Sequence, residues 1–329
     1  MARIVLKRLV WAIPTLIIVT FLVYVAIRLG TDPVKSYLRQ NARASKAKVQ
    51  QYRDVNGLYD GPWGYVRGYF KWLSNFVKGP DHWARTIKGS RKVFPELKDA
   101  LANSLVLGGA ATVVGITIGL ALGVFVALRP GSLRDAATNT GAFVALSFPP
   151  FVSGILLQLL FAVYWNKWFG HTLLPTSGVY PAGHKGFDLW LRIKHMILPV
   201  FVVSIQIIAG YARYMRASLL EVLNSDYMRT ARAKGISERR VLVRHALRNA
   251  LIPVVTVAAI DIGGIVGGLI ITENVFGYPG MGRYFLNAYA VGDFPLLMPW
   301  MVVIVLAVIV FNLLADLSYA WLDPRIRYE

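Results

Sequence analysis

The sequence predicts an all-α polytopic membrane protein with six transmembrane helices, and three observations carry that prediction. Of the 329 residues 56% are hydrophobic and only 16% charged, against about a quarter charged in a soluble domain. The apolar residues gather into runs of about 20, the length that crosses a bilayer. The formal net charge of +19, from 36 Lys and Arg against 17 Asp and Glu, sits mainly between those runs. A disordered or collagenous chain is excluded by this composition, and the absence of cysteine excludes a disulfide-stapled secreted one.

The first run, Leu9 to Leu29, follows a basic start of Arg3, Lys7 and Arg8. It is longer than the apolar core of a cleaved leader and lacks a small-residue cleavage site, so it reads as a retained helix. The second, about Asn103 to Leu128, carries Gly115, Gly119 and Gly123 four apart on one face, a spacing that lets neighbouring helices approach closely in lipid. The third covers about Ala136 to Trp165, with Pro149 and Pro150 predicting a kink. The fourth runs from about Ile197 to Met215, the fifth from about Leu251 to Thr272 and the sixth from about Pro295 to Trp321.

Six spans put both termini on one side. Lys and Arg in the short connections assign that side to the cytoplasm: the N-terminus, Arg129 and Arg134 after span two, the segment between spans four and five, and Arg325 and Arg327 in the tail. Residues 30–100 then face outward. They hold 14 Lys and Arg against 6 Asp and Glu, but the segment exceeds the loop length over which the rule is counted. Within it Trp63 to Phe76 places apolar side chains at helical spacing, predicting a short surface helix. A second outer segment, about Lys167 to Lys194, carries Trp168, Phe169, Tyr180, Phe187 and Trp190, which suit an interfacial aromatic belt. The expected organisation is a cytoplasmic start and first helix (1–29), an extracytoplasmic cap (30–100), a core with five helices (101–321) and a cytoplasmic tail (322–329).

Motifs for chemistry are missing. No Gly is followed by Lys, so the chain has no phosphate-cradling P-loop. Its five histidines, His82, His171, His184, His195 and His245, are scattered, with no zinc-binding pair on a helix. Gly-x-Ser-x-Gly is absent too. No catalytic residue, cofactor or metal site is expected in this chain.

The informative stretch is residues 217–250. Arg216 to Lys234 reads as helix, Gly235 supplies the left-handed position that ends one, and Ser237 with Glu238 caps a second. The second presents Val241, Leu242, Ala246 and Leu247 to one side and Arg239, Arg240, Arg244 and Arg248 to others. A solvated loop would not keep so much helix-forming sequence around a capped break. The stretch also looks like the turn of a DNA-reading helix-turn-helix, but spans on either side enter the bilayer within a few residues and leave no arm to reach a duplex. A basic elbow that docks in a groove of a soluble partner fits better, and no nucleic acid is expected as a partner.

The run Arg229-Thr230-Ala231-Arg232-Ala233-Lys234-Gly235, followed by His245-Ala246-Leu247-Arg248-Asn249-Ala250-Leu251-Ile252-Pro253, resembles the EAA-loop signature of the membrane subunits of binding-protein-dependent ABC importers, in their peptide and nickel branch. The likeness extends to the basic start, the long outer segment, the turn from Glu273 to Gly282 and the closing Leu322-Asp323-Pro324-Arg325. Arg229-Thr230-Ala231 stands where the general family has Glu-Ala-Ala, and Arg248 where it has proline; both departures are typical of the peptide branch. The resemblance implies a peptide permease, with nickel or another chelated metal as the alternative from the same branch and a secondary transporter or channel as the alternative from another class. It implies a heterodimer with a second related permease, of which this chain resembles the first, two ABC ATPase subunits that bind the ATP and Mg, and an extracytoplasmic peptide-binding protein. It also implies that Arg229, Thr230, Ala231, Lys234, Gly235, Ser237 and Leu247 couple the chain to the ATPases, with Ala231 packing and Gly235 turning the helix.

For the path itself, Asp261 lies about ten residues into span five, and a carboxylate in hydrocarbon should face a water-filled cavity or a partner. Gly264 and Gly268 lie near it in a small-residue pattern with Gly263 and Gly267, which serves either the path or helix packing. Glu273 and Arg283 flank the turn after span five, where they would contact a binding protein or each other.

Overall fold

The computed structural model describes Ala2 to Leu322; the calls on Asp323-Pro324-Arg325 and Arg327 lie outside the described residues. Among those described, the structure is helical with no strand. It divides into two compact units, one made of residues up to Ser104, Val266–Ile270 and Pro279–Val310, the other of Leu105–Ile265, Ile271–Tyr278 and the chain from Phe311 on.

In the first unit, α1 (Ala2–Thr31) is followed by α2 (Pro33–Gln40), α3 (Lys46–Asn56) and α4 (Pro62–Val77). Residues 33–77 are therefore largely helical and share a core with α1 and residues further along the chain, in which Tyr24, Tyr52, Leu58, Tyr69, Trp72, Ile87, Phe294 and Met298 are buried. Polar atoms lock it: the Tyr24 hydroxyl donates to the Gly57 carbonyl at 2.6 Å, and the Thr20 and Tyr69 hydroxyls share a bond of 2.7 Å. Gly57 closes α3 in the left-handed conformation, φ 67°. A Cβ on it would collide with the backbone of Gly68 in α4, so the α3–α4 crossing depends on glycine. Helix α5 spans Val93–Ala127, ten residues ahead of the expected start of span two. The same unit holds α14 (Met281–Val291) and the first part of α15 (Phe294–Leu322), where the Trp300 indole donates to the Met281 carbonyl at 2.9 Å.

In the second unit, Gly115, Gly119 and Gly123 of α5 lie against Ile207, Tyr211 and Met215 of α9 (Leu189–Leu223), the close approach that their spacing predicts. The third span differs from a single kinked helix. It breaks into α6 (Leu133–Ser147) and a stretch from Pro150 to Phe169 bent by 91°, composed of α7 (Pro150–Gln158), a π-helical turn at Leu159–Tyr164 and α8 (Trp165–Phe169). Proline disfavours helical backbone in the residue before it, and two in succession compound the effect. Phe148 and Pro149, each preceding a proline, are accordingly extended, with ψ 115° and 138°.

The fifth run forms a shorter helix than expected. Helix α12 covers only Arg248–Ile265 and stops before a turn in which Gly268 takes φ 88°; a separate α13 follows (Ile270–Val275). Among the described residues four helices are long and apolar enough to cross a membrane, Val10–Thr31, Val93–Ala127, Leu189–Leu223 and Phe294–Leu314, and the bent pair makes up to five. The chain is thus a polytopic helical membrane protein.

Candidate functional site

The elbow is built in the second unit on a core of buried side chains. Helix α9 ends at Leu223, and Asn224 and Ser225 break the chain, a stop that the helix expected from Arg216 to Lys234 did not include. Helix α10 (Asp226–Ala233) then crosses with Met228 and Ala231 turned inward. They join Met215 and Leu219 of α9 and Val241, Ala246 and Ala250 beyond the elbow in one apolar cluster. The side chains of Arg229, Thr230, Arg232 and Lys234 are exposed. An eight-residue helix thus rests on two anchors and displays cations outward.

Gly235 follows with φ 73°, and a Cβ there would meet no neighbour within 4 Å. The constraint at this position is the backbone conformation alone. Ser237 takes the extended geometry of an N-cap, but its side chain makes no capping bond. Glu238 instead accepts from the Arg232 guanidinium at 3.0 Å, tying the two arms together across Gly235. The second arm is not a separate short helix: α11 (Glu238–Arg240) continues through a π-helical turn at Val241–Leu247 directly into α12. Within it Val241 and Ala246 are buried, and Leu247 packs against the cluster. Leu247 therefore supports the elbow from behind, while Arg229, Thr230, Lys234, Gly235 and Ser237 are exposed.

The residues expected along a path are less alike. Asp261 is exposed and accepts a hydrogen bond of 2.8 Å from the hydroxyl of Tyr211, which is buried on α9. At Gly264 a Cβ would meet nothing within 4 Å. Gly268, in the first unit, supports a close backbone approach, because a Cβ on it would collide with the backbone of Gly282. Glu273 is fully buried, so it is not available to an outside partner.

One constellation escaped the sequence reading. Arg216 grips Asp135 with two parallel bonds of 2.6 and 2.7 Å, and the Asp135 carboxylate also accepts from the Gly131 backbone at 2.9 Å and from Asn139 at 2.8 Å. This fork pins α6 to α9 just before the elbow. The two residues are 81 apart in sequence, and no local pattern pairs them.

The family described as binding-protein-dependent transport system inner membrane component matches residues 119–328. Among relatives, the chain is 37% identical over 329 residues to the oligopeptide transport system permease protein AppB of Bacillus subtilis (strain 168), covering 100% of both chains. It is 35% identical over 332 residues to the glutathione transport system permease protein GsiC of Escherichia coli (strain K12), again covering 100% of both. A solved structure of the MetNI methionine ABC transporter in inward-facing conformations is similar in fold, with a TM-score of 0.52 at 17% identity over 69% of this chain and 96% of that one. The helices long and apolar enough to cross a membrane among the described residues agree with such a membrane component. The chain belongs to the family of binding-protein-dependent transport system inner membrane components.

Proposed function

We propose that this chain is a permease subunit of an ATP-driven importer that passes peptides, received from an extracytoplasmic binding protein, into the cytoplasm. The observation that carries the reading is the elbow: a short cationic helix held by two buried anchors and ended by a left-handed glycine is a rigid lever for a docked partner. The relatives' names, oligopeptide and glutathione permeases, favour peptides over a chelated metal.

In this reading six segments cross the membrane, with the bent pair counted as one and α12 with α13 as another. Both termini and residues 217–250 face the cytoplasm and residues 30–100 face outward. A second homologous permease completes the pore, and two ABC ATPase subunits, which bind the ATP and Mg, dock on the elbow. Arg229, Thr230, Lys234 and Ser237 meet the ATPases, Ala231 and Leu247 hold the elbow to its core, and Gly235 sets its angle. Asp261 and Gly264 line the path, while Gly268 shapes the turn beside it. ATP binding would favour one of two access states only by the difference in affinity the ATPases have for them. The test is uptake of a labelled tripeptide into proteoliposomes that contain the assembled complex and binding protein: uptake that requires ATP supports the proposal, and equal uptake without ATP refutes it.

A further inference from the structure

A cavity of about 660 Å³ lies in the cap and is lined by Tyr37, Arg43, Lys48, Tyr52, Asn56 and Arg85 among others. Its volume falls within the range of small-molecule sites. The floor is built: Tyr52 and Asn56 are buried, as are Thr86 and Ile87 beside them. Tyr52 is stacked on Tyr37 with ring centroids 4.3 Å apart, and its hydroxyl is buried with no hydrogen-bond partner among the described residues. The rim is cationic, with Arg43, Lys48 and Arg85 all exposed.

Charge balance gives the cavity its sign. The one acid in its lining, Asp81, is engaged by Lys92 at 3.1 Å outside the lining set. Among the described residues the other acids that form ion pairs in the cap, Asp32, Asp60 and Glu96, are held by Lys35, Arg53 and Arg91. Arg85 donates only to the Ser90 carbonyl at 3.1 Å, and Arg43 and Lys48 form no ion pair among the described residues. Three cations of residues 30–100, Arg43, Lys48 and Arg85, thus border a concave site with tyrosines and side-chain amides in its lining, while the Asp293 carboxylate beneath it accepts from the Ile87 backbone. A flat acidic protein surface does not fill such a shape. A short chain with carboxylates, peptide groups to meet Gln51, and a few apolar atoms to lie on the rings does.

We propose that this cavity is an extracytoplasmic binding site for short anionic peptides, which it holds by their carboxylates. The inference rests on the outward placement of the cap and the peptide-permease reading, and it names acidic peptides as a class the transporter meets at its outer face.

The test uses the full-length chain in nanodiscs of phosphatidylcholine, without ATPases or binding protein, titrated with triglutamate and with trilysine. Saturable binding of triglutamate that weakens with salt, no binding of trilysine, and about tenfold weaker triglutamate binding in Arg43→Glu/Lys48→Glu support the site. Arg43→Lys/Lys48→Arg keeps the charge and should bind as the parent does. Equal binding of both peptides, no binding of either, or an unchanged double charge-reversal variant would overturn it. Repeating the titration with phosphatidylglycerol in the disc separates the two sources of anion: loss of triglutamate binding there assigns the cavity to lipid headgroups and overturns the peptide site. ATP-driven uptake in the assembled complex is measured separately, so absent cap binding with intact uptake removes this site and leaves the permease reading standing.

Discussion

Single residues carry three separable expectations. Gly235 occupies left-handed backbone with open space around its missing Cβ, so Gly235→Val strains only the main chain, by about 1–2 kcal/mol. The expected outcome is a complex that assembles normally but loses most peptide-stimulated ATPase activity and uptake; unchanged coupling would show that the elbow angle is not used. Asp261→Leu removes both the charge and the acceptor for Tyr211, whereas Asp261→Asn keeps an acceptor. A path role predicts impaired uptake in both with assembly intact, and rescue by Asn alone would reduce Asp261 to a partner of Tyr211. In the first unit, burial drives Asp293 up from its ordinary 3.8 to about 6, although the Ile87 backbone donates to it at 2.9 Å; Tyr52, Tyr284, Glu96 and Arg91 are the titratable groups around it. As pH rises from about 4 to 6 the unfolded chain releases this proton while the folded unit retains it. Stability is thus greatest below the unfolded value and is lost through the folded one, by roughly 2–3 kcal/mol in total. The protein should melt at higher temperature at pH 5 than at pH 7.5 by tryptophan fluorescence, and Asp293→Asn should remove most of that difference.

At the scale of elements, local chemistry was legible and long-range pairing was not. The spacing of Gly115, Gly119 and Gly123 anticipates a helix packed tightly alongside, and Gly235 marks the end of α10. Both are properties of a few adjacent residues. The stop at Asn224 and Ser225 was hidden because neither residue forbids helix, and only the inward pull on Met228 and Ala231 turns the chain there. The two prolines at 149 and 150 were visible, but the 91° bend is read only from the fold, where Phe148 and Pro149 both take extended backbone before a proline. The Asp135–Arg216 fork is a tertiary fact. Exchanging its charges, Asp135→Arg with Arg216→Asp, should restore much of the thermal stability and uptake lost in Asp135→Ala; failure of the swap to recover either would mean that the bonds to Gly131 and Asn139 matter more than the ion pair.

At the scale of the whole molecule, hydropathy revealed the class of protein, while the shape of the cap and the break within span three required the fold. Sequence signals report how far a run can reach across a bilayer, but not whether a turn such as that at Gly268 ends it early. The function proposed here depends on one arrangement above all, the elbow against an ATPase on the cytoplasmic face. Because the chain has no cysteine, Thr230→Cys introduces a unique thiol on the exposed side of α10. Cross-linking from that thiol in the intact transporter is the most direct measurement. The account predicts a covalent adduct with an ATPase subunit and protection from membrane-impermeant reagents added outside. Labelling from the outside, or an intact ATP-driven complex in which residue 230 reaches no ATPase subunit, would contradict it.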